Sequence, residues 1–211
     1  MLAWPFSIPA LILRDDYDHY AEFPDFPYAE GVPGSLLIDS ERNAIKQDWT
    51  ANLQAFVVPG IDGADRFGGR LVIDSGTRFG LDTETDLWFH SPSKGGTATT
   101  NAGLGDANLV YRFAETQNIQ MRSGVGVNWL ADGNRSGAGV NFTYGIEWFP
   151  SKPWTISSII DAGTIGHGSL FHNRTTVGVM FGATEAYVGY DYLHIPGSVV
   201  QGPVGGIGWR F

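Results

Sequence analysis

The chain has 211 residues, 29 of them Gly, with 13% aromatics, no Cys and a net charge of −9. That length suits one domain with residues to spare, and no run approaches the ~18 apolar residues of a membrane helix. The negative charge argues against nucleic acid as a partner, since phosphate binding requires a basic face, and the lack of Cys permits an oxidising compartment without demanding one.

Residues 1–47 do not alternate. Met1 to Leu13 is apolar but has no basic start and is broken by Pro5 and Pro9, which makes it a poor secretory signal. Export is therefore expected to rely on a signal outside this numbering or on a different start. Arg14 to Tyr28 is acidic and aromatic, and Pro24, Pro27 and Pro33 exclude a regular helix or a central strand. A short helical turn is expected around Ser40 to Lys46. Three roles stay open for this irregular N-terminal extension: a tether, a plug whose acidic groups lie against arginines of the rest of the chain, or a partner-binding segment.

From Asp48 to Phe211 the pattern becomes period-two, the mark of strands between two unlike environments. The first strand, about 48–58, turns Trp49, Ala51, Leu53, Ala55 and Val57 one way and Thr50, Asn52 and Gln54 the other. The second, 66–74, sets Phe67, Leu71 and Ile73 against Arg66, Arg70 and Asp74; Asp74-Ser75-Gly76 reads as a three-residue hairpin turn with Gly76 left-handed. The third, 77–90, opposes Phe79, Leu81, Leu87 and Phe89 to Arg78, Asp82, Glu84, Asp86 and His90. Ser91–Gly103 is the longest loop. The fourth strand, 104–114, alternates Ala107, Leu109, Tyr111 and Phe113 with Asp106, Asn108 and Arg112, and the fifth, 119–131, sets Met121, Val125, Val127 and Trp129 against Gln120, Arg122 and Asn128. The sixth, 137–149, is the cleanest, with Val140, Phe142, Tyr144, Ile146 and Trp148 opposite Asn141, Thr143 and Glu147. The seventh (154–165) carries Trp154, Ile156 and Ile160 against Asp161; the eighth (170–182) Phe171, Val177, Val179 and Phe181 against His172, Arg174 and Thr176; the ninth (185–195) Val188, Tyr190 and Tyr192 against Asp191. In the tenth, 199–211, Pro203, Ile207, Trp209 and Phe211 oppose Gly206, Gly208 and Arg210.

One face is apolar and the other small, polar or charged. This is the composition of an all-β antiparallel transmembrane β-barrel, residues 48–211, of about ten strands; weak periodicity in the first, seventh and ninth leaves eight or twelve open. Charge cannot face hydrocarbon cheaply, so Arg66, Arg70, Arg78, Asp82, Glu84, Asp86, Asp106, Arg112, Arg122, Glu147, Asp161, Arg174 and Asp191, with Asp74, are assigned to a lumen braced by ion pairs. The hairpin is expected to put Arg66 opposite Glu84 and Arg70 diagonal to Asp82. Trp49, Phe79, Phe113, Trp148, Trp154, Phe181, Trp209 and Phe211 are assigned to an aromatic girdle. Short turns fall at one end and longer loops (Pro59–Asp65, Ser91–Gly103, Asp132–Ser136, Gly166–Ser169) at the other, as outer-membrane barrels have them.

The last strand, alternating apolar residues up to the terminal Phe211, resembles the signal that outer-membrane β-barrel proteins present to their assembly machinery. The resemblance implies the cell outer membrane as location, and membrane lipid and that machinery as partners. The stretches Gly126 to Gly133, Asn141 to Pro150, Asp161 to Gly166 and Gly189 to Leu193 resemble uncharacterised barrel proteins of planctomycete-like bacteria, a likeness that brings no activity with it. The function expected is a structural or narrow porin-like barrel. The alternatives are a subunit of a larger surface assembly joined through residues 14–30, and a rim-active hydrolase, protease or lipid-modifying: Asp82, Glu84, Asp86 and His90 share one strand face and His172 is placed near the outer rim, as a pair that activates water would need. Omptin proteases have ten strands and rim acids with a His, but no omptin motif is present. No cofactor or metal is expected, for want of metal-ligand spacing, a phosphate loop or a dinucleotide fingerprint.

Overall fold

The computed structural model describes residues 8, 11–12, 25–26, 28–33, 49–59, 64–90, 99–116, 118–133 and 135–211. Two short strands, β1 (Asp25–Phe26) and β2 (Ala29–Pro33), pair with each other. Ten longer ones follow: β3 (Trp49–Val58), β4 (Ala64–Ser75), β5 (Phe79–His90), β6 (Thr99–Glu115), β7 (Ile119–Asp132), β8 (Arg135–Ser151), β9 (Trp154–Ile165), β10 (Gly168–Phe181), β11 (Thr184–Ile195) and β12 (Ser198–Arg210). Each pairs antiparallel with its chain neighbours, and β12 pairs back onto β3 to close a ring of ten. The seam runs from Gly205 beside Val57 to Arg210 beside Asn52. Beyond it, Ala51 and Phe211 exchange two backbone hydrogen bonds of 2.7 and 2.9 Å. Closure leaves no unpaired edge in the ring.

The ten strands found are the ten that the alternation predicts, which removes eight and twelve. Their ends differ. β6 begins at Thr99, so the expected loop from Ser91 to Gly103 shrinks to 91–98, which together with residues 40–46 and 60–63 lies outside the described residues. Asp132 pairs with Arg135 across a two-residue turn, and 166–167 and 196–197 are equally short. The length asymmetry between the two ends therefore rests on 59–63 and 91–98 alone. Two ends are still distinct: a turn end, with the connections after β4, β6, β8 and β10, and a loop end.

The hairpin of β4 and β5 also departs from expectation. The connection is 76–78 and the residue in the left-handed region is Arg78 (φ 68°), not Gly76. Ser75 Oγ holds the turn by donating to the Phe79 carbonyl (2.6 Å). Arg70 therefore stands opposite Glu84 and Arg66 opposite Trp88. The slip is even, so every side chain keeps its face while the partners change.

Apolar residues point outward from all ten strands. Leu53, Phe67, Leu81, Leu109, Val125, Val140, Ile160, Val177, Val188 and Ile207 are all exposed, Val125 by 64% and Val188 by 68%. Directly opposed pairs link Ile73, Leu81, Leu109, Val125 and Phe142 into one row. Trp49, Phe79, Trp148, Trp154, Phe181, Trp209 and Phe211 ring the turn end, also exposed, with edge-on contacts of Phe211 to Trp49 (6.5 Å) and Trp209 (6.1 Å). Phe113 is the exception, only 7% exposed. A bulge in β6 between Arg112 and Ala114 interrupts the alternation, and Phe113 lies against Tyr144 (5.5 Å) in a cluster with Ala114 and Met121.

Glycine on the inward face makes room for rings. A Cβ at Gly68 would run into the Phe56 ring and the Asp86 carboxylate, its cross-strand neighbours on either side. Gly68→Val is expected to destabilise the barrel by about 1–3 kcal/mol, read as a lower urea midpoint of the detergent-solubilised protein against wild type.

Candidate functional site

The inward face forms the lumen, and side chains fill it in layers. At the loop end the layer is apolar. Trp88, Leu104, Ile165, Leu170, Leu193 and Ile195 form one buried cluster, with Ala102, Leu130 and Val200 packed against it. Contributions from seven of the ten strands meet there, a stopper across the bore.

Beneath it lies an ionic layer centred on Arg174. Its guanidinium donates to both oxygens of Glu84 (2.7 and 2.9 Å) and through Nε to Asp191 (2.8 Å). β10 and β5 are diametrically opposite in the ring, so the Arg174–Glu84 pair is a strut across the lumen. The Arg174 guanidinium also lies 3.7 Å from the centroid of the Phe56 ring, a cation–π contact. Arg66 pairs with Asp86 (3.4 Å) and with Asp191. His172 bridges Asp191 (Nε2, 2.9 Å) and Asp161 (Nδ1, 3.3 Å). Asn141 donates to Asp161 (3.2 Å) and Asn108 (2.9 Å), and Asn108 donates to Asp106 (2.7 Å).

Toward the turn end a second ionic layer follows. Arg70 grips Asp82 with two hydrogen bonds (2.8 and 2.5 Å), the bidentate geometry that suits guanidinium and carboxylate. Glu147 receives Arg122 and Arg210 (2.8 Å each), while Arg210 also meets Glu185 (3.5 Å) and Arg122 also meets Asp74 (3.4 Å). Arg112 reaches Glu115 (3.3 Å) and donates to the Ser75 carbonyl (2.5 Å), and Arg78 donates to the Arg112 carbonyl (3.4 Å). The inner aromatic Phe149 lies 5.6 Å from the Arg210 guanidinium. Among the described residues two water-sized voids lie between the layers, one beside Arg70 and Arg122, one beside Asp106 and His172.

All the charged residues assigned to the lumen point into it. Their pairing differs from expectation: Arg66 reaches Asp86 and Asp191, leaving Glu84 to Arg174, a partner 90 residues away. Arg210, Glu115, Glu185, Phe56, Trp88 and Tyr187 join the inner face without having been counted among lumen groups. Their signal was available in the same period of two for all but Glu115, whose parity is reset by the bulge in β6. The catalytic candidates are not assembled at a rim. His172 is 6% exposed, deep in the bore below the apolar stopper, and Asp82, Glu84 and Asp86 are committed to Arg70, Arg174 and Arg66. His90 ends β5 on the loop side, and its side chain lies outside the described residues. Among the described residues no group of His, Asp or Glu is arranged to hold a metal ion.

The strut is testable by a double-mutant cycle. Arg174→Met leaves Glu84 and Asp191 short of a partner and is expected to cost about 3–5 kcal/mol; adding Glu84→Met to it should cost much less than Glu84→Met alone. Additive losses in urea unfolding would contradict a direct pair.

No protein-family model matches the sequence, and no curated protein matches it. Among solved structures, the N-terminal β-barrel domain of Pseudomonas aeruginosa OprF is similar at 13% identity and a TM-score of 0.36, covering 78% of this chain and 98% of that one. KdgM porin is similar at 10% identity and a TM-score of 0.35, with 76% and 99% covered. Likenesses at this level carry no argument about activity.

Proposed function

We propose that this chain is a bacterial outer-membrane barrel with a closed lumen, serving a structural role rather than forming an open pore. The observation that carries it is the division of the ten strands: exposed aliphatic and aromatic residues all around the outside, arginines and carboxylates confined within. A protein in water gains nothing from that arrangement, because a contiguous apolar belt of this extent favours association, whereas in a bilayer it is the required solvent boundary. The aromatic ring at the turn end suits the interface between hydrocarbon and headgroups. The apolar stopper and the cross-braced charges beneath it support a closed lumen. β12, with Pro203, Ile207, Trp209 and Phe211 outward, is the strand by which the assembly machinery would engage the barrel. Kinship with barrel proteins of planctomycete-like bacteria belongs to this proposal and rests on the sequence segments alone.

Val125 lies in the middle of β7 and faces out. Val125→Arg is expected to weaken folding into lipid vesicles by about 2–4 kcal/mol; a barrel that lives in water would tolerate Arg there, and an unchanged folding free energy would count against the membrane reading. The purified wild-type protein is expected to give no conductance steps in planar bilayers. Discrete steps would replace the closed barrel with a narrow porin-like one.

A further inference from the structure

The N-terminal segment meets the barrel through Tyr28, at the tip of the small hairpin of β1 and β2. Its hydroxyl donates to the backbone carbonyl of Trp154 (3.1 Å), and its ring stands edge-on to Phe149 at 5.8 Å and 72°. Trp154 begins β9 and Phe149 lies near the end of β8, so both contacts are at the turn end. Phe149 belongs to the inward parity of β8 and is buried, with Arg210 over its ring and Glu147 and Glu185 behind. The docked phenol thus continues the stack of side chains that fills the lumen. Its partial withdrawal from water pushes the Tyr28 phenol above its ordinary pKa.

The path of the chain gives this contact its meaning. Residue 49 enters the ring on β3, also at the turn end, and β3 and β8 stand five strands apart in either direction. A segment anchored at both places has its two ends on opposite sides of the mouth. The 15 residues between Pro33 and Trp49 span at most about 50 Å when extended, ample to reach across a ring of this size.

We propose that the hairpin of residues 25–33 is a cap on the turn-end mouth of its own barrel, with Tyr28 as its anchor on Phe149 and Trp154. The lumen is then shut at both ends by unlike means, an integral apolar layer at the loop end and a separable piece of chain at the other.

The chain has no Cys, so introduced thiols are unique. The full-length protein carrying Ala29→Cys and Ser151→Cys, folded in detergent and treated with a short bifunctional maleimide, is expected to give a cross-linked monomer whose yield does not change on dilution. Tyr28→Ala in that background should lower the yield roughly tenfold, while Tyr28→Phe retains most of it, since the ring contact outlasts loss of the single hydrogen bond. Tyr28 is outside the ring of strands, so heat-modifiable gel migration serves as the control that each variant still folds. Cross-linked dimers that grow with concentration would mean that the segment caps a neighbouring copy and would overturn the proposal. So would the absence of any cross-link, which leaves the segment a tether, and so would a monomer yield indifferent to Tyr28→Ala, which removes the anchor.

Discussion

Everything inside this barrel follows from the need to keep guanidinium groups satisfied where water scarcely reaches. Arg66, Arg112 and Arg174 are essentially buried, and an ion withdrawn from water without a partner is destabilising by several kcal/mol. Each must therefore meet carboxylates; adjacent strands supply many of them, as in Arg70–Asp82 and Arg122–Glu147, and some of the longer side chains also cross the bore. Arg174 to Glu84 spans the full ring and Arg210 to Glu147 much of it. These reaches are feasible only because other inward positions are Gly, over which Phe56 and Tyr187 can lie flat. The tight fill and the narrowness of the remaining voids are two aspects of the same requirement.

The apolar layer at the loop end serves the ionic layer below it. With Trp88, Leu104 and Leu193 overhead, bulk water is kept from the Arg174 cluster, and electrostatic attraction there is screened less than in an open channel. Order of layers matters: apolar groups lie toward the longer connections, charges toward the middle and the turns. Such an interior resembles a folded core with polar bracing more than a conduit.

Much of this could be read from the chain. Strict alternation identified the ten strands and assigned Arg66, Asp82, Glu84, Asp161, Arg174 and Asp191 to one face. It could not reveal which of them touch. Period two reports a face and nothing about position around the ring, so a pair separated by 90 residues leaves no local trace. The hairpin register depended on whether Gly76 or Arg78 takes the left-handed conformation, and the easier residue was not the one used. Phe113 sits at a bulge, where periodicity fails by construction. Trp88 and Phe56 are legible as inward by parity, although both are apolar residues on the face that carries the charges. The placement of His172 at the rim failed for a simpler reason: distance from a turn along β10 measures depth, and His172 is several residues in from Gly168.

The seam between β3 and β12 has a kinetic meaning. Every other pairing in the ring is between consecutive strands and can form as a hairpin, locally and early. The seam alone joins residues 51–57 to residues 205–211, and contacts of such long range are slow to form because loop entropy is lost before they repay it. Arg210 lies in that seam and also holds Glu147 and Glu185, so zipping the wall and completing the interior bracing are one event. Until it happens the sheet is an open ribbon with two bare edges and unpaired ions, a species prone to mispairing, and a catalyst that shelters both edges would act at the slowest step of this chain's assembly.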